Sequence, residues 1–422
     1  MKVVLVHGRY FNSWEALGLG YIAAYAQKHE PEVWMQAFQG SFDEPETIIK
    51  ASRHADLLAL SCTTPTAEWS VNLARKAKKV NPKLWVVMGG YHPSALAEAA
   101  LVDGIDQVVV GEGEKAFLDI VRGNREAVVH GRPMDFSELP WPDRRLIQNA
   151  RNIAEAAKEN RGQRMTSFQA HRGCPFGCHF CADGACKVLL DGQPRRIVRQ
   201  REAGDLLDEM ESVRREYGLT YAKFCDPTWN SRVGWVLNFC EQKIRREMTL
   251  PYFANLHASA VTEEMMALMA QSGCKDVAFG MESGSDRLLK SCGKGITTEM
   301  VWQAVEFAKK EGLRVRGYFM LGLPGETEDD LAETESFAAS LKLDTYGFTI
   351  LCPYPGTLYH RQSPERFASV DWTNAEEYTN DFWQTEAVSN KRLHYWQRRL
   401  TTRFAGKLTQ RQPKGKRCGT LR

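Results

Sequence analysis

Short apolar runs in the first 120 residues alternate with segments whose apolar positions recur every three or four residues. The apolar runs, at 2–7, 56–61, 84–88 and 107–110, have the length and composition of buried strands. The segments at 17–27 and 67–80 have the spacing of amphipathic helices. Because buried strands that alternate with helices are typical of parallel sheets, the pattern predicts an α/β domain with a doubly wound parallel sheet.

Three of these predicted strands end in loops of small or polar residues. The loops, at 61–64, 89–93 and 111–114, contain Ser61, Thr63, Thr64, Gly89, Gly90, His92, Gly111, Glu112 and Gly113. In doubly wound sheets, ligands bind just beyond the carboxyl ends of the strands. The loops therefore indicate a binding surface, with the alternative that the glycines only allow the chain to turn.

The same alternation returns after residue 160. Strands are predicted at 165–170, 222–226, 252–257, 276–282, 314–321 and 345–351, and helices at 203–217, 234–246, 263–272, 298–311 and 328–341. Six units are too few for a closed eight-stranded barrel, so we expect an open, partial (β/α)6 barrel with its ligands at the carboxyl ends of the strands. Residues 131–160, which contain three prolines and a predicted helix at 154–160, are interpreted as a linker between the domains.

Composition limits where the protein is expected to be located and which chemistry it is expected to perform. The chain has no apolar run long enough to span a membrane and no signal-peptide pattern, so we expect a cytoplasmic protein without a transmembrane segment. Eleven cysteines in such a chain favour metal or redox chemistry over a framework of disulfides.

Charge is distributed unevenly along the 422 residues. The formal net charge is +3, but residues 391–422 carry eleven Lys and Arg and no acidic residue, which leaves −8 on residues 1–390. Within this basic tail, one helical stripe is formed by Leu393, Trp396, Leu400, Phe404 and Leu408. The tail is interpreted either as a terminal helix packed on the barrel or as a binding site for phosphate groups of nucleic acid or lipid.

The strongest chemical signal is a CxxxCxxC run, formed by Cys174, Cys178 and Cys181 directly after the first strand of the predicted barrel. Three thiolates on a loop broken by proline and glycine can surround a metal centre but cannot share one helix face. An iron–sulfur cluster with three cysteine ligands would leave one iron open to another ligand. A zinc site that also uses Cys186 or His179 is the alternative.

This run, with the aromatic Phe180 before its last cysteine, resembles the signature of the radical S-adenosylmethionine superfamily. The resemblance implies that Cys174, Cys178 and Cys181 hold a [4Fe–4S] cluster whose open iron binds S-adenosylmethionine. It also implies that Phe180 lies beside the adenine, and that a flavodoxin- or ferredoxin-like partner supplies one electron.

Residues 279–284 resemble a strand motif of the subgroup that includes methylthiotransferases and cobalamin-dependent enzymes. The resemblance implies that Glu282 and Ser283 face the ribose and amino group of S-adenosylmethionine. A carboxylate that ends a buried strand needs a polar partner in any case, so a paired core carboxylate is the alternative for Glu282.

Two further segments fit the same subgroup. In residues 321–327, the resemblance places Gly322 and Pro324 near the cofactor, with a plain strand–turn–helix as the alternative. After the second barrel strand, where the subgroup has paired aspartates, only Asp226 is present, because the next residue is Pro227. The resemblance implies that Asp226 is a catalytic acid that faces cofactor or substrate.

Residues 1–130 resemble the cobalamin-binding domain that precedes the barrel in one large branch of the superfamily. The matching segments are 16–21, 61–65, 89–93 and 111–114. The resemblance implies that the three strand-end loops surround the dimethylbenzimidazole tail and the lower face of the corrin, where glycine lets the backbone approach closely. None of the ten histidines stands in a D-x-H-x-x-G motif, so we expect cobalamin to bind without a histidine on cobalt.

The resemblance covers roughly residues 1–360, with a barrel at 161–358 and a mostly helical region with the basic tail at 359–422. It implies an enzyme with three cofactors: a [4Fe–4S] cluster, S-adenosylmethionine and cobalamin. The implied reaction is methylation of an unactivated carbon, in which a 5′-deoxyadenosyl radical removes a hydrogen atom and methylcobalamin provides the methyl group.

Two alternative functions stay open. One is a radical enzyme that catalyses oxidative cyclisation or rearrangement without methyl transfer, and the other is a cobalamin-binding sensor or scaffold. The expected substrate is a small molecule or a phosphate-bearing one, which includes nucleic acid bound through the basic tail.

Overall fold

The computed structural model describes residues 1–10, 15–182, 188–190, 193–195, 197–373 and 375–405. Its N-terminal half contains six strands: β1 Lys2–His7, β2 Trp34–Gln39, β3 Leu57–Ser61, β4 Trp85–Gly89, β5 Gln107–Val110 and β6 Val128–His130. They form one sheet in the order β2-β1-β3-β4-β5-β6, and every neighbouring pair is parallel. The prediction of a parallel α/β sheet is confirmed.

Helices cover both faces of this sheet, because alternate residues of a strand point in opposite directions. In β1, Val3 and Leu5 belong to the core on one face, and Val4 and Val6 belong to the core on the other. The helices of this half are Leu17–His29, Pro45–Ser52, Ala67–Val80, Tyr91–Ala95, Ala97–Ala100 and Gly113–Val121. Burial on both faces is why the central strands have continuous apolar sequences.

The sequence pattern misses two strands of this sheet, and both lie at its edges. β2 alternates buried and exposed positions over its first four residues, and Trp34 is 53% exposed, so the strand lacks a continuous apolar run. β6 has only three residues, and His130 is exposed. An edge strand has a neighbour on one side only, and therefore needs fewer apolar residues than a central strand.

The second half contains another parallel sheet of six strands: β7 Met165–Phe168, β8 Tyr221–Phe224, β9 Tyr252–Leu256, β10 Cys274–Glu282, β11 Arg314–Leu321 and β12 Thr345–Ile350. The strands are neighbours in chain order, and the described residues show no pairing between β7 and β12. The intervening helices are Ala203–Tyr217, Val233–Arg245, Glu263–Gln271, Asp286–Ser291, Thr298–Lys310 and Glu328–Ser340. This is the open, partial (β/α)6 arrangement that the sequence predicts.

Residues 131–160 were expected to act as a linker, but they are packed between the two halves. Helix Asn149–Glu159 begins five residues earlier than the sequence pattern indicates. Asn152 exchanges side-chain hydrogen bonds with Gln39 of the first sheet at 2.9 and 3.0 Å. Arg144 forms a buried ion pair of 2.8 Å with Glu209 of the barrel. The segment therefore fixes one half against the other.

The C-terminal region begins with the short helix Leu358–Gln362 and ends, in the described residues, with helix Asn390–Arg403. The apolar stripe of this last helix is buried in the barrel core at Leu393, Trp396, Leu400 and Phe404. On the same helix, Arg399 and Arg403 pair with Glu335 at 2.8 and 2.7 Å. The packed-helix interpretation is confirmed for these residues, whereas Leu408 and most of the basic tail lie outside the described residues.

Membrane-spanning segments are absent from the part of the chain that the structure describes. None of its helices combines the length and the apolar composition needed to cross a bilayer.

Candidate active site

The carboxyl ends of both sheets open into one shared cavity of about 680 Å³. The residues expected from the sequence that line this cavity are Ser61, Thr63, Gly89, Gly90, Gly111, Glu112, Gly113, Cys174, Cys178 and Cys181. The remaining expected residues lie outside the lining: Thr64, His92, Phe180, Asp226, Glu282, Ser283, Gly322 and Pro324. The fold therefore brings the glycine loops and the cysteine run to the same space.

An apolar slot extends this cavity into the N-terminal half. One wall is the face of the sheet, with Leu5, Ala59, Val87 and Val109, and the other wall consists of helix residues Leu19, Ile22 and Phe117. A slot of this composition suits a flat aromatic group. Its position beneath the glycine loops fits the dimethylbenzimidazole tail that the sequence resemblance implies.

The loop after β4 approaches its neighbour so closely that only glycine fits. Gly90 has a φ of +106°, and a Cβ atom built on it would collide with the backbone carbonyl oxygen of Cys62. Beyond it, Nδ1 of His92 lies 3.4 Å from Oγ1 of Thr64, and burial lowers the pKa of His92 to about 4. The loop after β4 therefore presents backbone and uncharged side chains to the cavity, at Gly89, Gly90 and Tyr91.

The cysteine run is held in place by backbone contacts with three other segments. The amide of His179 donates to the carbonyl oxygen of Cys292 at 2.9 Å, and the amide of Leu358 donates to the carbonyl oxygen of His179 at 3.0 Å. Gly173, which has a φ of +86°, passes directly against the carbonyl oxygen of Ile197. The chemistry and placement of the three thiols fit a cluster at the wall of the cavity.

The alternative of a single zinc ion finds no matching geometry in the described ranges. No group of three or more His, Cys, Asp or Glu side chains there is close enough to hold one metal ion. Cys186, which was named as a fourth zinc ligand, lies outside the described residues.

A buried ion pair lies beside the cysteine run. Nζ of Lys294 is 2.7 Å from Oε1 of Glu282, and the ammonium group lies 5.8 Å from the ring centroid of Phe180. Glu282 has a φ of +60°, a left-handed conformation that is costly for a residue other than glycine. Burial raises the pKa of Cys178 to about 11, while the charge of Lys294 acts in the opposite direction. The ion pair with Lys294 is the geometry expected if Glu282 is a paired carboxylate of the core, the alternative named above.

Ser283 and the loop that contains Gly322 also make internal contacts. Oγ of Ser283 lies 3.2 Å from Oγ1 of Thr334. The amide of Gly322 donates to Glu326, and the carbonyl oxygen of Gly322 accepts a 2.7 Å hydrogen bond from the indole of Trp383. Such contacts are also expected if residues 321–327 only connect a strand to a helix, which is the alternative named above. The cofactor roles of Ser283, Gly322 and Pro324 therefore stay predictions.

Asp226 does not have the exposure expected of a catalytic acid. Its side chain is fully buried, and it accepts hydrogen bonds from the backbone amides of Ala170, at 3.0 and 3.2 Å, and His171. Nδ1 of His171 lies 3.4 Å from the same carboxylate. Asp226 therefore braces the chain just before the cysteine run and does not line the cavity. The catalytic role of Asp226 stays a prediction that these contacts do not support.

Ion pairs between the two halves close one side of the cavity, and the sequence reasoning missed them. Arg172, directly before Gly173, contacts Glu112 at 3.1 Å and Glu114 at 2.6 Å, and Arg199 contacts Glu112 at 2.9 Å. Burial would raise the pKa of Glu112, but the hydrogen bond from Arg199 and the charge of Arg172 hold it below its ordinary value. The carboxylate of Glu112 thus binds the barrel arginines.

A second contact between the halves involves Glu15, which the sequence pattern did not single out. Its carboxylate accepts hydrogen bonds from the amide of Ser167 at 3.1 Å and from the Ser167 hydroxyl at 2.9 Å. Lys223 lies 3.7 Å away. Ser167 is 152 positions from Glu15 in the sequence and no motif connects them, so only the folded chain reveals these pairs.

Comparison with known proteins assigns the same two regions. The model of the B12 binding domain matches residues 3–121, and the model of the radical SAM superfamily matches residues 168–338. An uncharacterized methyltransferase of Pyrococcus horikoshii is 30% identical over 365 residues, which cover 81% of this chain and 76% of that protein. An anaerobic magnesium-protoporphyrin IX monomethyl ester cyclase of Rubrivivax gelatinosus is 24% identical over 393 residues, which cover 84% and 68% of the two chains.

Among solved structures, the fold is similar to that of the radical S-adenosylmethionine methyltransferase TsrM from Kitasatospora setae, determined with cobalamin and a [4Fe–4S] cluster bound. The TM-score is 0.67 at 17% sequence identity, and the match covers 94% of this chain and 84% of TsrM. Both domain matches and the Pyrococcus relative agree with this shared architecture. The chain therefore belongs to the radical S-adenosylmethionine superfamily, in the cobalamin-dependent branch that carries an N-terminal B12-binding domain.

Proposed function

We propose that this protein is a cobalamin-dependent radical S-adenosylmethionine methyltransferase that methylates an unactivated carbon. The observation that carries the proposal is the single cavity, which is lined by the CxxxCxxC cysteines on one side and by the glycine loops and the apolar slot on the other. When bound, the cluster with S-adenosylmethionine supplies a carbon-centred radical, and methylcobalamin supplies the methyl group. A reaction that needs both groups requires them to meet in one enclosed space.

The residues divide this work between the two halves. Cys174, Cys178 and Cys181 would hold the cluster, and the slot and strand-end loops would hold cobalamin through shape and backbone contacts. The ion pair of Glu282 with Lys294 keeps a carboxylate and an ammonium group near the cysteine run without exposing either to bulk water. The apolar walls exclude water from the reacting groups, which limits side reactions.

The partners are proposed on chemical grounds. A flavodoxin- or ferredoxin-like protein would supply the electron, and the cytoplasm is the compartment that keeps the cysteine thiols reduced. The substrate would be a small or phosphate-bearing molecule that enters the same cavity. Nucleic acid binding would rest on residues 407–422, beyond the last described helix, because Arg392, Arg399 and Arg403 of that helix already pair with Glu328 or Glu335.

An anaerobic turnover assay tests the proposal. The reconstituted enzyme, reduced and supplied with S-adenosylmethionine and candidate substrates, should form both 5′-deoxyadenosine and S-adenosylhomocysteine. The formation of neither product would contradict radical methyl transfer. Full biological activity in a Cys178→Ala variant would instead favour the sensor or scaffold alternative.

Oxidative cyclisation without methyl transfer is the second candidate. The observation in its favour is that the Rubrivivax relative carries the name of a cyclase at 24% identity, over most of both chains. The same assay separates the two reactions, because a cyclase would form 5′-deoxyadenosine without S-adenosylhomocysteine.

A further inference from the structure

Arg361 is in the short helix Leu358–Gln362, which follows the last strand of the barrel, and it lines the cavity. The amide of Leu358, at the start of this helix, donates to the carbonyl oxygen of His179 in the cysteine run at 3.0 Å. Oγ1 of Thr357 caps the helix by accepting a 3.2 Å hydrogen bond from a backbone amide of its first turn. The helix is thus fixed against the cysteine run and holds Arg361 beside it.

Arg361 differs from the other charged side chains of the cavity wall. Among the residues that the structure describes, no carboxylate pairs with its guanidinium group and no other acceptor hydrogen-bonds to it. The residue is also exposed, so it stands at the mouth of the cavity. Ion pairs between the two halves neutralise the other charged groups of the wall, which are Glu15, Glu112, Glu114, Arg172 and Arg199.

A guanidinium group in this position favours an anionic ligand. When a ligand fills the mouth and displaces water, the charge needs a partner, and carboxylates and phosphates match a guanidinium group with two parallel hydrogen bonds. The phosphate of cobalamin belongs to the tail, which the slot of the N-terminal half would receive. S-adenosylmethionine is expected beside Phe180 and Glu282, which do not line the cavity. The substrate is therefore the best source of the anion.

We propose that Arg361 binds a carboxylate or phosphate group of the substrate at the mouth of the cavity. The proposal rests on the proposed function, which places the substrate and both cofactors in this cavity. The contact anchors one end of the substrate, so that a carbon farther along the molecule is held toward the thiols and the slot. No covalent bond changes at Arg361, because its role is to select anionic substrates and to orient them.

Arginine labelling with phenylglyoxal tests for the anion site. Full-length protein that carries the cluster and both cofactors is labelled under anaerobic conditions, and the rate at Arg361 is followed by peptide mass spectrometry. Arg53, which is exposed in the N-terminal domain and does not line the cavity, is the internal reference. Inorganic phosphate or acetate should slow the labelling of Arg361 by about threefold relative to sodium chloride at equal ionic strength, and should not slow that of Arg53.

Each outcome of the labelling decides the matter. Equal rates at Arg361 in all three salts, or equal slowing at both arginines, would overturn the proposal. Protection by only one of the two anions supports it and identifies the anionic group that the site prefers.

Variants separate the substrate from the cofactors. Arg361→Gln should bind cobalamin and S-adenosylmethionine as tightly as the wild type in absorbance and equilibrium-dialysis titrations, with Arg53→Gln as the matched control. Binding of either cofactor that is about tenfold weaker in Arg361→Gln alone would assign the guanidinium group to that cofactor and overturn the proposal.

Kinetics give a second readout for any accepted substrate that bears a carboxylate or phosphate. Arg361→Gln should raise KM about tenfold, and Arg361→Lys should restore part of the loss, because the charge returns without the paired hydrogen bonds. An unchanged KM would also overturn the proposal. Failure of the wild type to bind cobalamin would instead contradict the proposed function itself.

Discussion

The two halves of the molecule turn the same edge of a six-stranded parallel sheet toward one cavity, but they present different chemistry there. The N-terminal sheet ends in glycine loops, hydroxyl groups and an apolar slot. The barrel ends in thiols, and next to them lies a buried ion pair between Lys294 and Glu282. The first half is built to enclose a large ligand by shape, and the second to coordinate a compact charged group.

Because of this difference, the two sites are expected to be sensitive to different kinds of substitution. A site made of backbone and apolar walls depends on close approach, so it fails when a side chain is added. A site made of thiols depends on lone pairs, so it fails when one is removed. Mutations can therefore disable one half and leave the other able to bind its cofactor.

The largest effect is expected from Cys178→Ser, which removes one cluster ligand. Iron content and 5′-deoxyadenosine formation should fall by about 100-fold, while cobalamin binding, measured by absorbance, is retained. Cys240→Ser provides the control, because Cys240 is buried in helix Val233–Arg245 and does not line the cavity. Loss of cobalamin binding in the Cys178 variant would mean that the two halves do not bind their cofactors separately.

The converse change is Gly90→Val, which should weaken cobalamin binding at the other site. Its Cβ would collide with the carbonyl oxygen of Cys62, and its φ of +106° disfavours any side chain. We expect cobalamin affinity to fall at least tenfold, which corresponds to about 1.4 kcal/mol, while the iron content stays unchanged. Gly234→Ala, at a helical glycine with open space around it, should have no effect on either measurement. Unchanged affinity in Gly90→Val would contradict a role of this loop in cobalamin binding.

The sequence was sufficient for the central strands of both sheets and for the cysteine run. Continuous apolar runs and a fixed cysteine spacing are local signals, so no tertiary information is needed to find them. It failed at β2 and β6, whose edge positions require fewer apolar residues. It could not reveal the backbone contacts of Asp226, because a position after a strand does not show whether a carboxylate faces a cavity or receives backbone amides.

A smaller effect is expected where the halves are joined. Glu112→Gln removes the charge that pairs with Arg172 and Arg199, and losing hydrogen bonds between charged groups at this partly buried site costs about 2 kcal/mol. The N-terminal domain should unfold about 5 °C earlier in calorimetry, and a single transition should separate into two. Glu138→Gln is the matched control, because its partner Lys115 is at the surface and the pair is largely exposed. A lower midpoint without separation into two transitions would argue that the pair does not join the halves.

The mildest effect concerns Glu326 in the loop after β11. Burial raises the pKa of Glu326 to about 8 in the folded state. The carboxyl is then protonated when folded but ionised when unfolded, so the free energy of unfolding should fall as pH rises from roughly 4.5 to 8. Denaturant titrations should show a shallower decline in Glu326→Gln, and identical pH profiles would contradict the raised pKa.

The sequence could not have revealed the groups that join the halves. Glu15 and Ser167 are 152 positions apart, and Arg172 and Glu112 are 60 apart. Each is an ordinary polar residue outside any motif, and only the folding of two separate sheets onto one cavity brings them together. Arg361 is similar, since its lack of a carboxylate partner among the described residues becomes evident only in the folded chain.

The terminal helix covers an edge of the barrel sheet that could otherwise pair with another chain. β12 lies at the edge of the barrel sheet, and an uncovered edge can pair with the edge of another chain. Gln397 of helix Asn390–Arg403 donates a buried 3.1 Å hydrogen bond to the carbonyl oxygen of Phe348 in that strand, and the amide of Ile350 donates to the carbonyl oxygen of Glu377. A barrel that stays open for its substrate is thus protected against aggregation by its own C-terminal segment.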